Sequence, residues 1–235
     1  MQRLTPATNE IYHLYNRGVE KRTVFIEDAD YARFIHDLFE FNDTAPAPNL
    51  SYHLGTGQSK EVGLPNIKRG ARKLLVELMA FCLMPNHFHL MVRQLVEGGV
   101  TLLMRKLGSG YTNYFNEKYE RVGPLFQGKY KAVHLGQEAH LLHLPYYIHF
   151  NPLDLVTPEW RERKMENSAT AIRFLENYRW SSYLDYIGQK NFPSVTQREF
   201  LLEALGGSAH YKKEMQQWLK GLEMNLARLD GVLLE

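Results

Sequence analysis

Residues 76–93 read VELMAFCLMPNHFHLMVR, and this stretch decides the fold. Val76 to Met84 is a continuous apolar run of strand length, and His87 to Arg93 forms a second run of the same kind. Pro85 and Asn86, which separate the two runs, favour a turn. The stretch therefore predicts a β-hairpin.

The segments around this hairpin alternate between strand and helix patterns. Strand patterns have apolar and polar residues in alternation, whereas helix patterns repeat apolar residues every three or four positions. The predicted order is strand 9–16, helix 28–41, the hairpin, helix 101–118, strand 130–135 and helix 138–150. This order predicts an α+β fold, in which an antiparallel sheet carries helices packed on one face.

Composition divides the chain into three parts. Residues 42–70 are rich in Pro, Gly, Asn, Ser and Thr, which predicts a long surface insertion at about 42–72. Residues after Pro152 turn helical and contain all three tryptophans. We therefore expect one domain at 1–153, interrupted by that insertion, and a helical C-terminal extension at 154–235, either packed on the first domain or separate from it.

Charge and cysteine content narrow the class of protein. The single cysteine, Cys82, excludes a disulfide framework and a cysteine metal cluster, and it suits a reducing cytoplasm. No apolar run approaches the roughly 20 residues that span a bilayer, so we expect no membrane partner. A net charge of +2 is too small to identify a nucleic-acid-binding protein by itself.

Basic residues nevertheless cluster at two places. The first cluster has no acidic residue among its members, and the second is mixed with tyrosines on which bases could stack. Solvated charged faces and half-buried tyrosines are an equally good explanation. The clusters are Lys68, Arg69, Arg72 and Lys73, and then Lys118, Arg121, Lys129 and Lys131 with Tyr111, Tyr114, Tyr119 and Tyr130.

The second strand of the hairpin carries the first chemical motif. Residues two apart on a strand share a face, so His87 and His89 project together while Phe88 points to the opposite side. Two imidazoles can begin a metal site, although chance pairs are expected among 10 histidines. Further ligands would have to be Asp, Glu, Asn, Gln or His.

The second motif lies at the end of the last predicted helix. Tyr147 and Asn151 are four residues apart and so share one helix face, where they could present a nucleophile and a ligand together. A buried aromatic residue and a helix C-cap explain the same pattern.

Together the two motifs resemble a known family. Pro85-Asn86-His87-Phe88-His89 is similar to the His-hydrophobic-His strand of HUH nucleases. Tyr147-Ile148-His149-Phe150-Asn151-Pro152 resembles the tyrosine helix of REP-associated tyrosine transposases and their single-tyrosine insertion-sequence relatives. Similar segments flank both motifs at 12–18, 123–131 and 180–183, so that the resemblance covers most of residues 9–185.

The resemblance implies a ferredoxin-like sheet of the HUH endonuclease type and a DNA-cleaving and DNA-joining activity. Tyr147 would be the nucleophile and form a 5′-phosphotyrosine link, and His87, His89 and Asn151 would bind Mg²⁺ or Mn²⁺. The substrate would be single-stranded DNA, or a hairpin with a single-stranded flank, handled by a monomer or homodimer. Our candidates for DNA contact are Arg105, Lys106, Lys129, Tyr130 and Lys131.

Three features depart from the family or from its simplest interpretation. Pro145, two residues before Tyr147, predicts that the helix begins or kinks there. Leu153-Asp154-Leu155 stands where the family usually has a basic stretch. His149 lies on a different helix face from Tyr147, so we predict a structural role for it.

Three other functions are compatible with the sequence. A replication initiator or relaxase-like nickase would use the same residues, although such proteins commonly have a second tyrosine or a helicase domain. A DNA-binding regulator would retain the fold without the chemistry. A metallohydrolase would recruit further ligands, for which Glu77 and His134 are candidates.

Overall fold

The centre of the molecule is a four-stranded antiparallel sheet with the strand order β2-β3-β1-β4. The computed structural model describes residues 5–46, 71–162 and 167–221. The strands are β1 Ile11–Arg17, β2 Val76–Met84, β3 His87–Gln94 and β4 Lys131–His134. The predicted hairpin is confirmed, since β2 and β3 pair through a two-residue turn that places Met84 opposite His87.

Two helices cover one face of the sheet. They are α1 Asp28–Phe41 and α2 Gly99–Lys118, and both begin and end within two residues of the prediction. Phe34 of α1 contacts Phe88 of β3, with ring centroids 5.0 Å apart, above buried Leu14 and Leu90. We call this side, defined by Leu14, Phe88, Leu90 and Val92, the apolar face.

The remaining helices cover the opposite side of the sheet, and the C-terminal extension supplies most of them. The α+β class with an antiparallel sheet is confirmed. A second core joins Ala80, Cys82 and Met84 of β2 to residues of later helices. Alternate residues of β2 are therefore apolar on both sides, and each side needs a cover. These helices are α3 Glu138–Phe150, α4 Ser168–Asn177, α5 Tyr183–Tyr186, α6 Glu199–Ala204 and α7 Gly207–Lys220, with short 3₁₀ helices at Asn151–Leu155 and Pro158–Glu162. We call this side the site face.

The C-terminal extension also closes one edge of the sheet. β2 is an edge strand, and its Leu83 N–H donates to the carbonyl of Trp180 at 2.9 Å. Ser182 N–H donates to the Phe81 carbonyl at 3.0 Å, and the Ser182 hydroxyl accepts from Phe81 N–H at 2.9 Å. The residues before and after position 153 consequently share one core and one sheet edge.

Parts of the predicted insertion and tail lie outside the described residues. These are 47–70, with Lys68 and Arg69, and the end of the chain after 221. The N–H groups of Leu75 and Val76, which follow the insertion, donate to the buried side chain of Asn42 at 3.1 and 3.0 Å. Asn42 therefore anchors the start of the insertion to β2. Among the described helices, none is long and apolar enough to cross a membrane.

Candidate active site

The two histidines of β3 lie on the site face with Phe88 directed away, as the strand alternation predicts. Their ring centroids are 5.0 Å apart and the rings are perpendicular. His87 Nδ1 lies 2.6 Å from the amide oxygen of Asn86. Because that oxygen can only accept, Nδ1 carries the proton and the lone pair of His87 is on Nε2.

A third histidine, which the sequence analysis did not select, joins this pair from β1. His13 Nε2 lies 2.9 Å from His89 Nδ1 in a hydrogen bond, and the two rings stack at 5.1 Å. Tyr15 of the same strand lies next to His89 because the register pairs these two residues. The alternation of β1 gives a signal for His13, but only the pairing of β1 with β3 shows which residue it meets.

Tyr147 lies against the imidazoles from helix α3. Its ring meets His89 edge-on at 5.6 Å and His13 edge-on at 6.2 Å, and 1% of the residue is exposed. The expected helix start or kink at Pro145 is corrected in part, since α3 begins at Glu138 and continues through this proline. The helix thus brings Tyr147 over β1 and β3.

Asn151 ends α3 as its C-cap and stays on the Tyr147 side of the helix. Its backbone N–H and its side-chain Nδ2 both donate to the Tyr147 carbonyl, the latter at 2.8 Å. The C-cap interpretation of Asn151 is confirmed, and its Oδ1 is directed toward a neighbouring side chain. That neighbour is Arg161, whose Nη2 donates to Oδ1 at 3.1 Å.

Arg161, from the 3₁₀ helix Pro158–Glu162, connects the two predicted site residues of α3. Its Nη1 lies 3.5 Å from the hydroxyl of Tyr147, in a long hydrogen bond. Asp154 accepts from Nε at 2.9 Å and from Nη2 at 2.7 Å. Burial acts to lower the pKa of Arg161, but Asp154 and Tyr147 outweigh it and the pKa is raised. No sequence motif marks Arg161, which lies ten residues beyond Asn151.

His149 is directed away from Tyr147, as expected for a structural residue. It is fully buried and makes hydrogen bonds with the Tyr211 hydroxyl at 2.7 Å and the Ser182 hydroxyl at 2.8 Å. Burial lowers its pKa to about 3, so the ring is neutral at physiological pH. His149 therefore ties α3 to α7 and to the edge-closing segment.

The donor atoms on the site face are compatible with a divalent ion. Imidazole nitrogens and an amide oxygen suit a metal that keeps water or substrate oxygens at its other positions. No group of three or more His, Cys, Asp and Glu side chains in the described part of the chain forms a metal cluster. The alternative ligands are engaged elsewhere, since Glu77 pairs with Arg93 and His134 lies 2.6 Å from Glu10.

The five residues predicted to contact DNA do not all lie together. Arg105, Lys129 and Tyr130 line a cavity of about 440 Å³ on the apolar face. Lys131 is exposed on β4 and pairs with Tyr15, which places it on the site face. Lys106 donates to the carbonyls of Asp43 and Ala45 at 2.7 and 3.0 Å, and so it holds the start of the insertion.

The tyrosine-rich basic cluster is largely structural. Lys118 forms an ion pair with the buried carboxylate of Asp30 at 2.5 Å, and Tyr114 and Tyr119 donate to the same carboxylate. The Tyr111 hydroxyl donates to the Val24 carbonyl inside the core. These contacts favour the alternative of half-buried tyrosines for Tyr114 and Tyr119, which contact Asp30 together with Lys118.

Comparisons with known proteins found a similar family and a similar fold. Residues 52–151 match the family model described as "Transposase IS200 like", and they include both β3 histidines, Tyr147 and Asn151. A solved structure of a REP-associated tyrosine transposase bound to a REP hairpin is similar over 83% of this chain and 88% of that chain. Its TM-score is 0.50 and its identity 12%, so the likeness shows a shared fold. No curated protein matches the chain.

Proposed function

From the match of residues 52–151 to the family model of IS200-like transposases, we infer an enzyme that cleaves and rejoins DNA with Tyr147 as nucleophile. The observation that carries this proposal is the packing of the Tyr147 ring edge-on against His89, with Asn151 joined to both Tyr147 and Arg161. The phenol of Tyr147 contacts the imidazoles of His13 and His89, and Asn151 lies on the Tyr147 side of α3. A site for binding alone has no need of this nucleophile.

In the proposed reaction the Tyr147 hydroxyl gives its proton to water as its oxygen attacks a DNA phosphorus. The bond to the 3′ oxygen breaks, that oxygen leaves as a hydroxyl with a proton from water, and a 5′-phosphotyrosine bond forms. Because the new bond keeps the energy of the phosphodiester, a 3′-hydroxyl of another strand can reverse the step and join the DNA. A phenolate, with an unperturbed pKa near 10, is a better leaving group than an alkoxide in that reversal.

His87, His89 and Asn151 would hold Mg²⁺ or Mn²⁺, which supplies charge stabilisation to the scissile phosphate. His87 is prepared for this role because Asn86 fixes its proton on Nδ1. Binding through Nε2 of His89 requires its Nδ1 proton to point at His13. His13 then positions the ligand.

The substrate we propose is single-stranded DNA, alone or beside a hairpin. Tyr147 is 1% exposed, and a flexible single strand can bring a phosphate to a recessed hydroxyl more readily than a stiff duplex can. The similar solved transposase is bound to a REP hairpin, which agrees with this choice.

The test is the formation of a covalent protein–DNA adduct. We expect the full-length protein, incubated with labelled hairpin pools that have random single-stranded flanks, to form an adduct only when Mg²⁺ or Mn²⁺ is present. Tyr147→Phe should abolish it. Tyr146→Phe is the matched control, because its ring stacks on Trp218 and Tyr211, away from the imidazoles.

Each other outcome has a defined meaning. An adduct that persists in Tyr147→Phe would assign the nucleophile to another residue. DNA binding with no adduct from any pool would instead favour a regulator that retains this fold.

A further inference from the structure

We propose that Arg161 is a substrate-binding residue, whose guanidinium receives a DNA phosphate beside the Tyr147 hydroxyl and is held in that orientation by Asp154. This inference rests on the proposed function and adds to it a residue that lies outside the segment matched by the family model. The guanidinium contacts the hydroxyl that would react, the amide oxygen of Asn151 and the Asp154 carboxylate.

The orientation of the guanidinium is the first argument. Asp154 occupies one edge of the planar group through Nε and Nη2, and this leaves Nη1 directed at Tyr147. Two parallel hydrogen bonds to a carboxylate fix an arginine far better than one, so little side-chain freedom remains to be lost when an anion binds. The fixed group points at the position where the attacked phosphate must lie.

Accessibility is the second argument. Asn151 is fully buried and Tyr147 is 1% exposed, whereas 34% of the Arg161 side chain is exposed. Arg161 is thus a partly exposed group in contact with the nucleophile. A phosphate that approaches the Tyr147 hydroxyl past Arg161 meets its positively charged guanidinium. The remaining N–H of Nη1 can donate a charge-assisted hydrogen bond to a phosphate oxygen.

A purely structural role does not account for all the contacts of Arg161. The pair with Asp154 is sufficient to hold the two 3₁₀ helices, Asn151–Leu155 and Pro158–Glu162, together. Stacking on Trp160, with Cζ 4.9 Å from the ring centre, adds to that. Neither contact requires Nη1 to reach Tyr147.

The experiment measures DNA binding without turnover. In the full-length Tyr147→Phe protein, with EDTA present, the affinity for a fluorescein-labelled pool of hairpins with random flanks is measured against salt concentration. Arg161→Gln should weaken binding about 5- to 10-fold at low salt and lower the slope of log K against log salt by about 0.7, which corresponds to one lost phosphate contact. Thermal unfolding of each variant is measured alongside.

Arg179→Gln is the matched control. Arg179 stacks on Trp180 with Cζ 4.8 Å from the ring centre, much as Arg161 stacks on Trp160, but it lies at the closed edge of β2. We expect it to leave the salt slope unchanged. If Arg161→Gln does not fold, Arg161→Lys serves instead, and it should keep the slope while it weakens binding.

Asp154→Asn separates the charge of Arg161 from its orientation. It should retain the salt slope, because the cation remains, yet slow adduct formation in the protein with Tyr147 intact. A slope in Arg161→Gln equal to that of the Arg179→Gln control would overturn the proposal and leave Arg161 a structural residue. Failure of the Tyr147→Phe parent to bind any DNA would overturn the proposed function itself.

Discussion

Phe88 and His89 are neighbours on β3, and both are almost completely buried, but they serve opposite faces of the sheet. Phe88 meets Phe34 and Phe126 among apolar side chains of the apolar face. His89 meets His13 and Tyr147 on the site face. Equal burial therefore has different energetic consequences. Burial of the Phe88 ring stabilises the fold directly, whereas burial of the His89 imidazole is favourable only with hydrogen-bond partners.

The comparison predicts that stability depends on the apolar face and chemistry on the site face. Four substitutions test it, and they are described in order from the largest expected effect to the smallest.

Phe88→Ala should have the largest effect. Removal of a buried phenyl ring leaves a cavity between β3 and α1, and we expect the free energy of unfolding to fall by about 3–5 kcal/mol. Urea unfolding followed by circular dichroism measures it. Phe88→Leu, which fills most of the space, should lose clearly less. A loss of under about 1 kcal/mol for the alanine variant would show that this face does not carry the stability.

His87→Ala should affect chemistry more than folding. We expect metal-dependent adduct formation to fall by roughly 100-fold or more, because one proposed ligand of the charge-stabilising metal ion is removed. The free energy of unfolding should change by less than about 1 kcal/mol. Gel quantification of the adduct checks the first quantity and urea unfolding the second. His36→Ala, an exposed histidine on α1, is the control and should leave both unchanged. Unaltered activity in His87→Ala would remove this residue from the site.

Asp37→Asn should raise stability at neutral pH. Burial raises the pKa of Asp37 to about 6 although Arg33 opposes the shift, and within the described chain its Oδ2 has no hydrogen-bond partner. A raised pKa in the folded state means that this carboxyl stabilises the fold fully below pH 3.8, and that the benefit is lost as the pH rises through 6.

Asparagine does not ionise. Its advantage over the wild type should therefore be about 1–2 kcal/mol larger at pH 8 than at pH 4, as measured by urea unfolding at both values. An advantage that does not change between these two values would contradict a raised pKa at position 37.

Lys131→Ala should have the smallest effect. Lys131 is exposed on the site face, so its loss should weaken single-stranded DNA binding by about 3-fold at low salt. Lys106→Ala should leave the affinity unchanged, because that lysine is bound to the carbonyls of Asp43 and Ala45. Fluorescence anisotropy measures both. The reverse ranking of the two variants would place the DNA path along α2 instead.

Local patterns were sufficient to predict the elements of the fold. Every strand and helix of the sheet domain lies within about two residues of its predicted position, because alternation and helical spacing are properties of consecutive residues. The residues that cover each face of the sheet were harder to assign. The apolar run of β2 does not by itself say whether the strand is buried on one side or two. The cover for the second side comes from residues that lie about 55 to 140 positions later.

The candidate site was predicted where its residues are close in sequence. His87 with His89, and Tyr147 with Asn151, follow from the spacing of residues on one strand and one helix. His13 and Arg161 reach the site through strand pairing and through a turn after α3, and these are long-range outcomes of folding. The same limit applies to Lys118, whose partner Asp30 lies 88 residues away.

The closure of β2 by residues 180–182 bears on how this protein avoids aggregation. A strand that reads VELMAFCLM has high β-propensity and one acidic residue, and with an open edge it would be a template for pairing with other chains. Trp180 and Ser182 occupy its hydrogen-bonding groups. A chain that ended at residue 153 would keep Tyr147 and both β3 histidines but lose this cover, and we expect light scattering to detect its self-association even where its helices still form.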